Sequence, residues 1–170
     1  LAGRCGRRLS ERNRMNIEVV AVGKLKERFW ADACAEYLKR LRGYCTLSVR
    51  EVPDRDPRIC GGEEASRTLE GKGILDALPS RAHVILLDIQ GKTLSSEDIA
   101  GRLDDLKLSG VSDVAFVIGG SDGVSADVRA RADERVSFGR ITLPHNLARV
   151  VALEQIYRAF KISRHEPYHK

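Results

Sequence analysis

The 170-residue chain has no long apolar run: its longest, such as Val84 to Leu87, are strand-sized, against the roughly 20 residues a membrane-spanning helix needs. No partnership with a membrane is expected. Cysteine is scarce too. Cys5, Cys34, Cys45 and Cys60 form no C-x-x-C pair, and no histidine stands at metal-ligand spacing from them. Neither a zinc site nor a disulfide framework is indicated, so no metal is expected, and a reduced, cytoplasmic setting is the simplest expectation. Cys34 falls on an apolar helical face and reads as core. The first residues, LAGRCGRRLSERNR, lack the apolar stretch of a secretory signal and carry five arginines instead. Met15 reads as a natural start, residues 1–14 as a basic extension, disordered or not native, and residues 15–170 as a single domain.

The common nucleotide and hydrolase motifs are missing as well. Gly91-Lys92-Thr93 ends like a phosphate-binding P-loop, but that motif requires glycine at position 86, which is Leu86. Gly119-Gly120-Ser121-Asp122-Gly123 reads G-G-x-x-G rather than G-x-G-x-x-G, and Leu143 stands where a ribose-binding acid would follow. A nicotinamide dinucleotide site is therefore disfavoured. No G-x-S-x-G elbow is present. His83 reads as a strand start and His145, beside Pro144, as a capping or loop residue.

What is present suits one globular domain: 42% of residues are hydrophobic, enough for a core in a chain of this length. The formal charge of +5 says little by itself, because the arginines before Met15 supply most of it. Its distribution says more. Met15 to Glu134 holds 17 Lys/Arg against 21 Asp/Glu, whereas Arg135 to Lys170 holds 7 against 2. Positive charge gathered at one end is the polarity of a surface that meets nucleic acid.

Short apolar runs predict strands over Ile17 to Val22, Thr46 to Val52, His83 to Asp88, Asp113 to Ile118 and Arg135 to Phe138. Trp30, Ala33, Cys34, Tyr37, Leu38 and Leu41 recur at helical spacing. Further helices are expected from Glu63 to Leu78, weakened by Gly71 and Gly73, and from Ser125 to Glu134. A last one, from Asn146 to Ser163, is expected to bury Leu147, Val150, Leu153, Tyr157 and Phe160. Ser95 followed by Asp98 reads as a capping box opening another helix. PDRDPRICGG, from Pro53 to Gly62, reads as a long polar loop, and Ile89 to Lys92 as the exit loop of the third strand. Alternation of strand and helix predicts an α/β fold, a mainly parallel sheet flanked by helices with right-handed crossovers. The turns after Ile118 and Phe138 then sit at strand carboxyl ends, where such sheets bind ligands.

At this point the chain resembles a known family, the small SPOUT-class methyltransferases of the RlmH type, which act on a pseudouridine of large-subunit ribosomal RNA. The matching words are AVGKLKERFW, LLDIQGK, FVIGGSDG, SFGRITLPHNLARVVALEQIYRAFKI and the terminal PYHK, together spanning Met15 to Lys170. The resemblance implies an α/β fold with a C-terminal trefoil knot, which the ordinary rules of chain connection would have excluded. It implies S-adenosyl-L-methionine as cofactor, an obligate homodimer whose active site draws on both subunits, and methyl transfer to N3 of a pseudouridine in 23S rRNA on the assembled ribosome.

Carried over by position, the cofactor is expected at Leu87, at Gly119 and Gly120, and along Phe138, Gly139, Arg140, Ile141, Thr142 and Leu143. Glycine turns there would expose backbone polar groups to an adenine edge, and Leu87, Ile141 and Leu143 would flank its ring. Arg158, Tyr168 and His169 match the family's polar tail and are candidates for holding RNA or assisting removal of the imide proton. Arg140, Arg149, Lys161, Arg164 and Lys170 are expected to meet phosphates. Two other readings stay open on the residues: a non-catalytic ribosome-binding protein that keeps the fold, and an ordinary doubly wound nucleotide-binding enzyme without a knot.

Overall fold

The computed structural model describes residues 14–168. Residues 1–13, His169 and Lys170 lie outside them, so the expectations placed on the basic extension and on the last two residues are not addressed by the fold. Five strands alternate with helices: β1 (Asn16–Val22), α1 (Arg28–Leu41), β2 (Thr46–Val52), α2 (Pro57–Cys60), α3 (Glu63–Ala77), β3 (His83–Thr93), α4 (Ser96–Leu108), β4 (Asp113–Ile118), α5 (Ala126–Arg131), β5 (Glu134–Ser137) and α6 (His145–Ser163). The strands form one sheet in the order β2-β1-β4-β3-β5, and every pairing is parallel.

Side chains alternate across a strand, so a strand covered on both faces must be apolar at odd and even positions alike. Ile17, Val19 and Ala21 of β1 enter a core shared with Cys34 and Leu41 of α1, Ile99 and Leu103 of α4, and Leu153 and Ile156 of α6. Val20 and Val22 point the other way, into a second core with Ile74 of α3 and Val128 of α5. The sheet is thus enclosed by α1, α4 and α6 on one face and by α3 and α5 on the other. Within β1 the exception is Glu18, whose carboxylate is paired with Arg50 of β2.

Local chemistry set most boundaries as expected. Ser95 Oγ accepts from the Asp98 N–H at 3.0 Å while the Asp98 carboxylate accepts from the Ser95 N–H at 2.9 Å, the reciprocal capping box that opens α4. Three segments differ. The Pro53–Gly62 loop contains a turn of helix, α2, because Asp56 caps it, Pro57 stands at its first position and Gly61 closes it at φ 92°. Helix α5 stops at Arg131, since the Asp133 carboxylate accepts from the Val84 N–H at 2.7 Å and draws the chain onto β3 before β5 begins.

The third difference concerns β3, which does not end at Asp88. After Leu87 pairs with Val136 the chain bulges, then pairs again, Lys92 with Val136 and Thr93 with Ser137. Gly91 makes this possible: a Cβ there would stand 2.6 Å from the backbone of Arg135 and Val136.

Candidate active site

The bulge of β3, the carboxyl ends of β4 and β5 and the segment entering α6 enclose an open pocket of about 670 Å³, inside the range typical of small-molecule sites. Each wall follows from a local rule. Gly119 to Gly123 form a tight turn after β4, with the Gly123 N–H donating to the Gly120 carbonyl at 3.2 Å and Gly123 at φ 83°. The turn cannot carry side chains where it is bare. A Cβ on Gly119 would stand 2.6 Å from Val124, and one on Gly120 would stand 2.9 Å from the Glu70 carboxylate and 3.2 Å from Val22. Burial pushes the Glu70 carboxyl above its ordinary range, although an N–H from Arg55 acts against that rise.

Leu87 and Ile89 of β3 line the pocket, as do Phe138, Ile141, Thr142 and Leu143 from the segment after β5. Ser137 Oγ donates to the Gly139 carbonyl at 2.8 Å and accepts its N–H at 3.2 Å, fixing the bend after β5, where Gly139 has φ 108°. Ile141 is 66% exposed, an apolar side chain left uncovered at the pocket's edge. His145, the first residue of α6, also lines the pocket.

Seven of the cofactor residues expected from sequence therefore line one cavity: Leu87, Gly119, Gly120, Phe138, Ile141, Thr142 and Leu143. Gly139 and Arg140 belong to the same loop but do not line the cavity, and Arg140 is exposed. Sequence reasoning missed Asp88, Arg129 and His145 as lining residues. Asp88 follows Leu87 directly and was within reach of the LLD word; nothing local placed Arg129 there.

Arg158 and Tyr168 lie elsewhere. Arg158 forms a forked pair with Glu154 at 2.9 and 2.7 Å, and this hydrogen bonding raises its already high pKa. Its guanidinium stacks 4.7 Å from the Tyr168 ring centre. Tyr168 in turn packs edge-on against Tyr157 at 5.0 Å. At about 1.5 Å of rise per residue, roughly 20 Å of α6 separates Arg158 from the pocket-lining His145. The pocket and the polar tail thus stand at opposite ends of one helix.

Of the expected phosphate contacts, Arg149 is a correction. It is 1% exposed, donates to the Glu51 carboxylate at 2.6 Å and to the Gly23 carbonyl at 2.7 Å, and fastens the start of α6 to the ends of β1 and β2. Helix α6 lies between the sheet, α1 and α4, so its buried stripe is wider than one face. Arg149, Ala152, Ile156 and Ala159 are enclosed with Leu153, while Leu147, Val150, Tyr157 and Phe160 are only partly buried. Lys161 pairs with Glu166 at 2.5 Å, and the Arg164 guanidinium lies 4.3 Å from the Tyr44 ring centre.

A family model described as "Predicted SPOUT methyltransferase" matches residues 15–169. The chain belongs to the SPOUT methyltransferase family, a class of enzymes that transfer methyl groups. Its relatives narrow this further. It is 51% identical over 159 residues to a Listeria welshimeri protein and 50% identical over the same length to one from Carboxydothermus hydrogenoformans. Each match covers 92% of this chain and 100% of the relative, and both are named "Ribosomal RNA large subunit methyltransferase H". Among solved structures, a "probable methylase family protein" from Haemophilus influenzae aligns over 92% of this chain and 71% of its own, with a TM-score of 0.52 at 14% identity. That likeness supports the fold alone. No described helix is long and apolar enough to cross a membrane, and no cluster of metal-ligating side chains occurs among the described residues.

Proposed function

We propose that the strand-end pocket binds S-adenosyl-L-methionine and that the protein methylates N3 of a pseudouridine in 23S rRNA on the assembled ribosome. The observation that carries this is a cavity lined by apolar side chains and by bare glycine backbone, in a chain about half identical to full-length rRNA methyltransferases. Leu87, Ile141 and Leu143 suit the faces of a purine, and the backbone of Gly119, Gly120 and Phe138 to Leu143 suits its polar edge. The bound cofactor supplies a methyl group on a positively charged sulfur. The protein's task is to hold the accepting nitrogen in line with it and to take the imide proton away.

Arg158 sits roughly 15 Å along α6 from Ala148, a pocket-lining residue of its own chain. This supports a homodimer in which the tail of one subunit completes the pocket of the other. Arg158, Tyr168 and His169 then hold the RNA and assist removal of the imide proton. Arg140, Lys161, Arg164 and Lys170 add a salt-dependent attraction for the phosphates. The segment from β5 into α6 forms the trefoil knot in this reading, and the protein works in the cytoplasm.

The test is methyl transfer from labelled cofactor to purified ribosomes and to separated subunits, followed by mass mapping of the modified nucleoside, for the full chain and for a chain lacking residues 167–170. The full chain should mark one pseudouridine, and the shortened chain should bind cofactor without methylating. Cofactor binding with no transfer by the full chain would point to a non-catalytic ribosome-binding protein. Full activity of the shortened chain would remove the tail from the site.

A further inference from the structure

Two side chains of full charge line the pocket, Asp88 in the bulge of β3 and Arg129 on α5. Asp88 is 7% exposed as a side chain. Its Oδ1 accepts from the Gln90 N–H at 3.0 Å, while its Oδ2 is buried and accepts no hydrogen bond among the described residues. The nearest cations to that oxygen are Arg129 Nε at 3.5 Å and Arg135 Nη1 at 3.9 Å. Both distances are too long for a good hydrogen bond and short enough for strong attraction. Arg129 is pulled toward Asp88 without being consumed by it.

The guanidinium stands at the glycine turn, with Nη2 3.8 Å from where a Cβ of Gly123 would be. It is 45% exposed, and no protein acceptor for its N–H groups occurs among the described residues. A planar cation with free donors, held beside a buried carboxylate in a cavity whose other lining residues are apolar, glycine or uncharged polar ones and His145, fits a carboxylate in the cavity. The apolar lining suits the flat end of a ligand, which leaves the charged end to Arg129.

We propose that Arg129 binds the carboxylate of the methyl donor's amino-acid moiety and that Asp88 is the positioning residue that aims it. This rests on reading the pocket as the methyl-donor site and adds which end of the donor lies where. Discrimination is the signature of such a contact: a ligand with the amino-acid tail should depend on Arg129, and one without it should not.

The experiment is calorimetric titration with two probes, S-adenosylhomocysteine, which carries the tail, and 5′-methylthioadenosine, which lacks it. Arg129→Gln should weaken the first roughly 10- to 100-fold, the loss of one charge-assisted contact, and leave the second unchanged. Arg129→Lys should recover part of the loss. Asp88→Asn should weaken the tailed probe by a smaller factor at unchanged thermal stability. Equal weakening of both probes by Arg129→Gln would make Arg129 a structural residue and overturn the proposal. So would unchanged affinity for the tailed probe with weaker ribosome binding, which would place a phosphate on Arg129 instead. If the unaltered protein binds neither probe, the donor reading of the pocket fails and this inference fails with it; binding by the unaltered protein separates the two.

Discussion

Replacing Arg149 by methionine isolates what holds α6 against the sheet. The substitution keeps a long apolar stem in a site that is 1% exposed and removes two short hydrogen bonds, to Glu51 at 2.6 Å and to the Gly23 carbonyl at 2.7 Å. Bonds of this charge-assisted kind contribute about 1.5–3 kcal/mol each. Two effects reduce the sum. The Glu51 side chain is 35% exposed, so it regains water when its partner goes. The guanidinium itself is costly to bury, with Nε donating to nothing among the described residues. A net loss of about 2–3 kcal/mol is expected, equivalent to a fall in Tm of roughly 4–12 °C for a domain of this size. Arg149→Lys should cost about half as much, because an ammonium retains the charge but cannot span both acceptors with a fork.

Urea unfolding at fixed protein concentration measures these losses, and a double-mutant cycle with Glu51→Gln isolates the pair. Arg149→Met within about 0.5 kcal/mol of the unaltered protein, well below one hydrogen bond, would refute the reasoning. RNA binding gives a second check. An enclosed guanidinium cannot reach a phosphate, so the salt dependence of ribosome binding should be unchanged by Arg149→Met; a shallower slope would restore the phosphate role expected from sequence.

Glu134 accepts from Arg102 at 2.6 Å and lies 2.5 Å from His83 Nε2. Burial acts to raise its carboxyl pKa, but these hydrogen bonds outweigh it and hold the pKa below the ordinary carboxylate range. A lowered folded pKa means stability that is present above the unfolded value, about 4.3, and lost as pH falls through the folded one. Glu134→Gln should therefore cost about 1–2 kcal/mol at pH 7 and flatten the acid limb of the stability profile. An equal difference between the two proteins at pH 7 and at pH 3 in urea melts would contradict this. Gly91→Ala should cost about 1–3 kcal/mol, because its Cβ meets β5 backbone at 2.6 Å rather than a side chain able to turn aside. Amide exchange should then show Lys92 and Thr93 released from β5, and an alanine tolerated with protection intact would be the contrary result.

Sequence by itself determined what local rules can reach. A strand covered on both faces must be apolar throughout, which made Asp113–Ile118 readable to the residue, and Thr46–Val52 was bounded by its own alternation and Pro53. A capping box is complete within four residues, so Ser95 and Asp98 fixed the start of α4 before any packing was known. Asp56-Pro57 carried a similar signal for α2, one that the loop-like composition around it masked. Glycines at strand ends marked the pocket's backbone walls, because their need for space and positive φ is written into residue type.

Tertiary structure alone decided the rest, since those features join residues whose separation in the chain says nothing of their distance. The order β2-β1-β4-β3-β5 depends on which strand edges meet, and a parallel sheet leaves that choice to crossovers rather than to pattern. The second pairing of β3 with β5 exists only because β5 backbone passes under Gly91. Arg149 looks in sequence like any basic residue of a polar tail, and it became a buried clamp because α6 packs against the ends of two strands far earlier in the chain. Helix α5, on the other face of the sheet, placed Arg129 beside Asp88 at the pocket, while α6 left Arg158 and Tyr168 at its far end. A charge has no intrinsic role until its surroundings fix how much water and which partner it keeps.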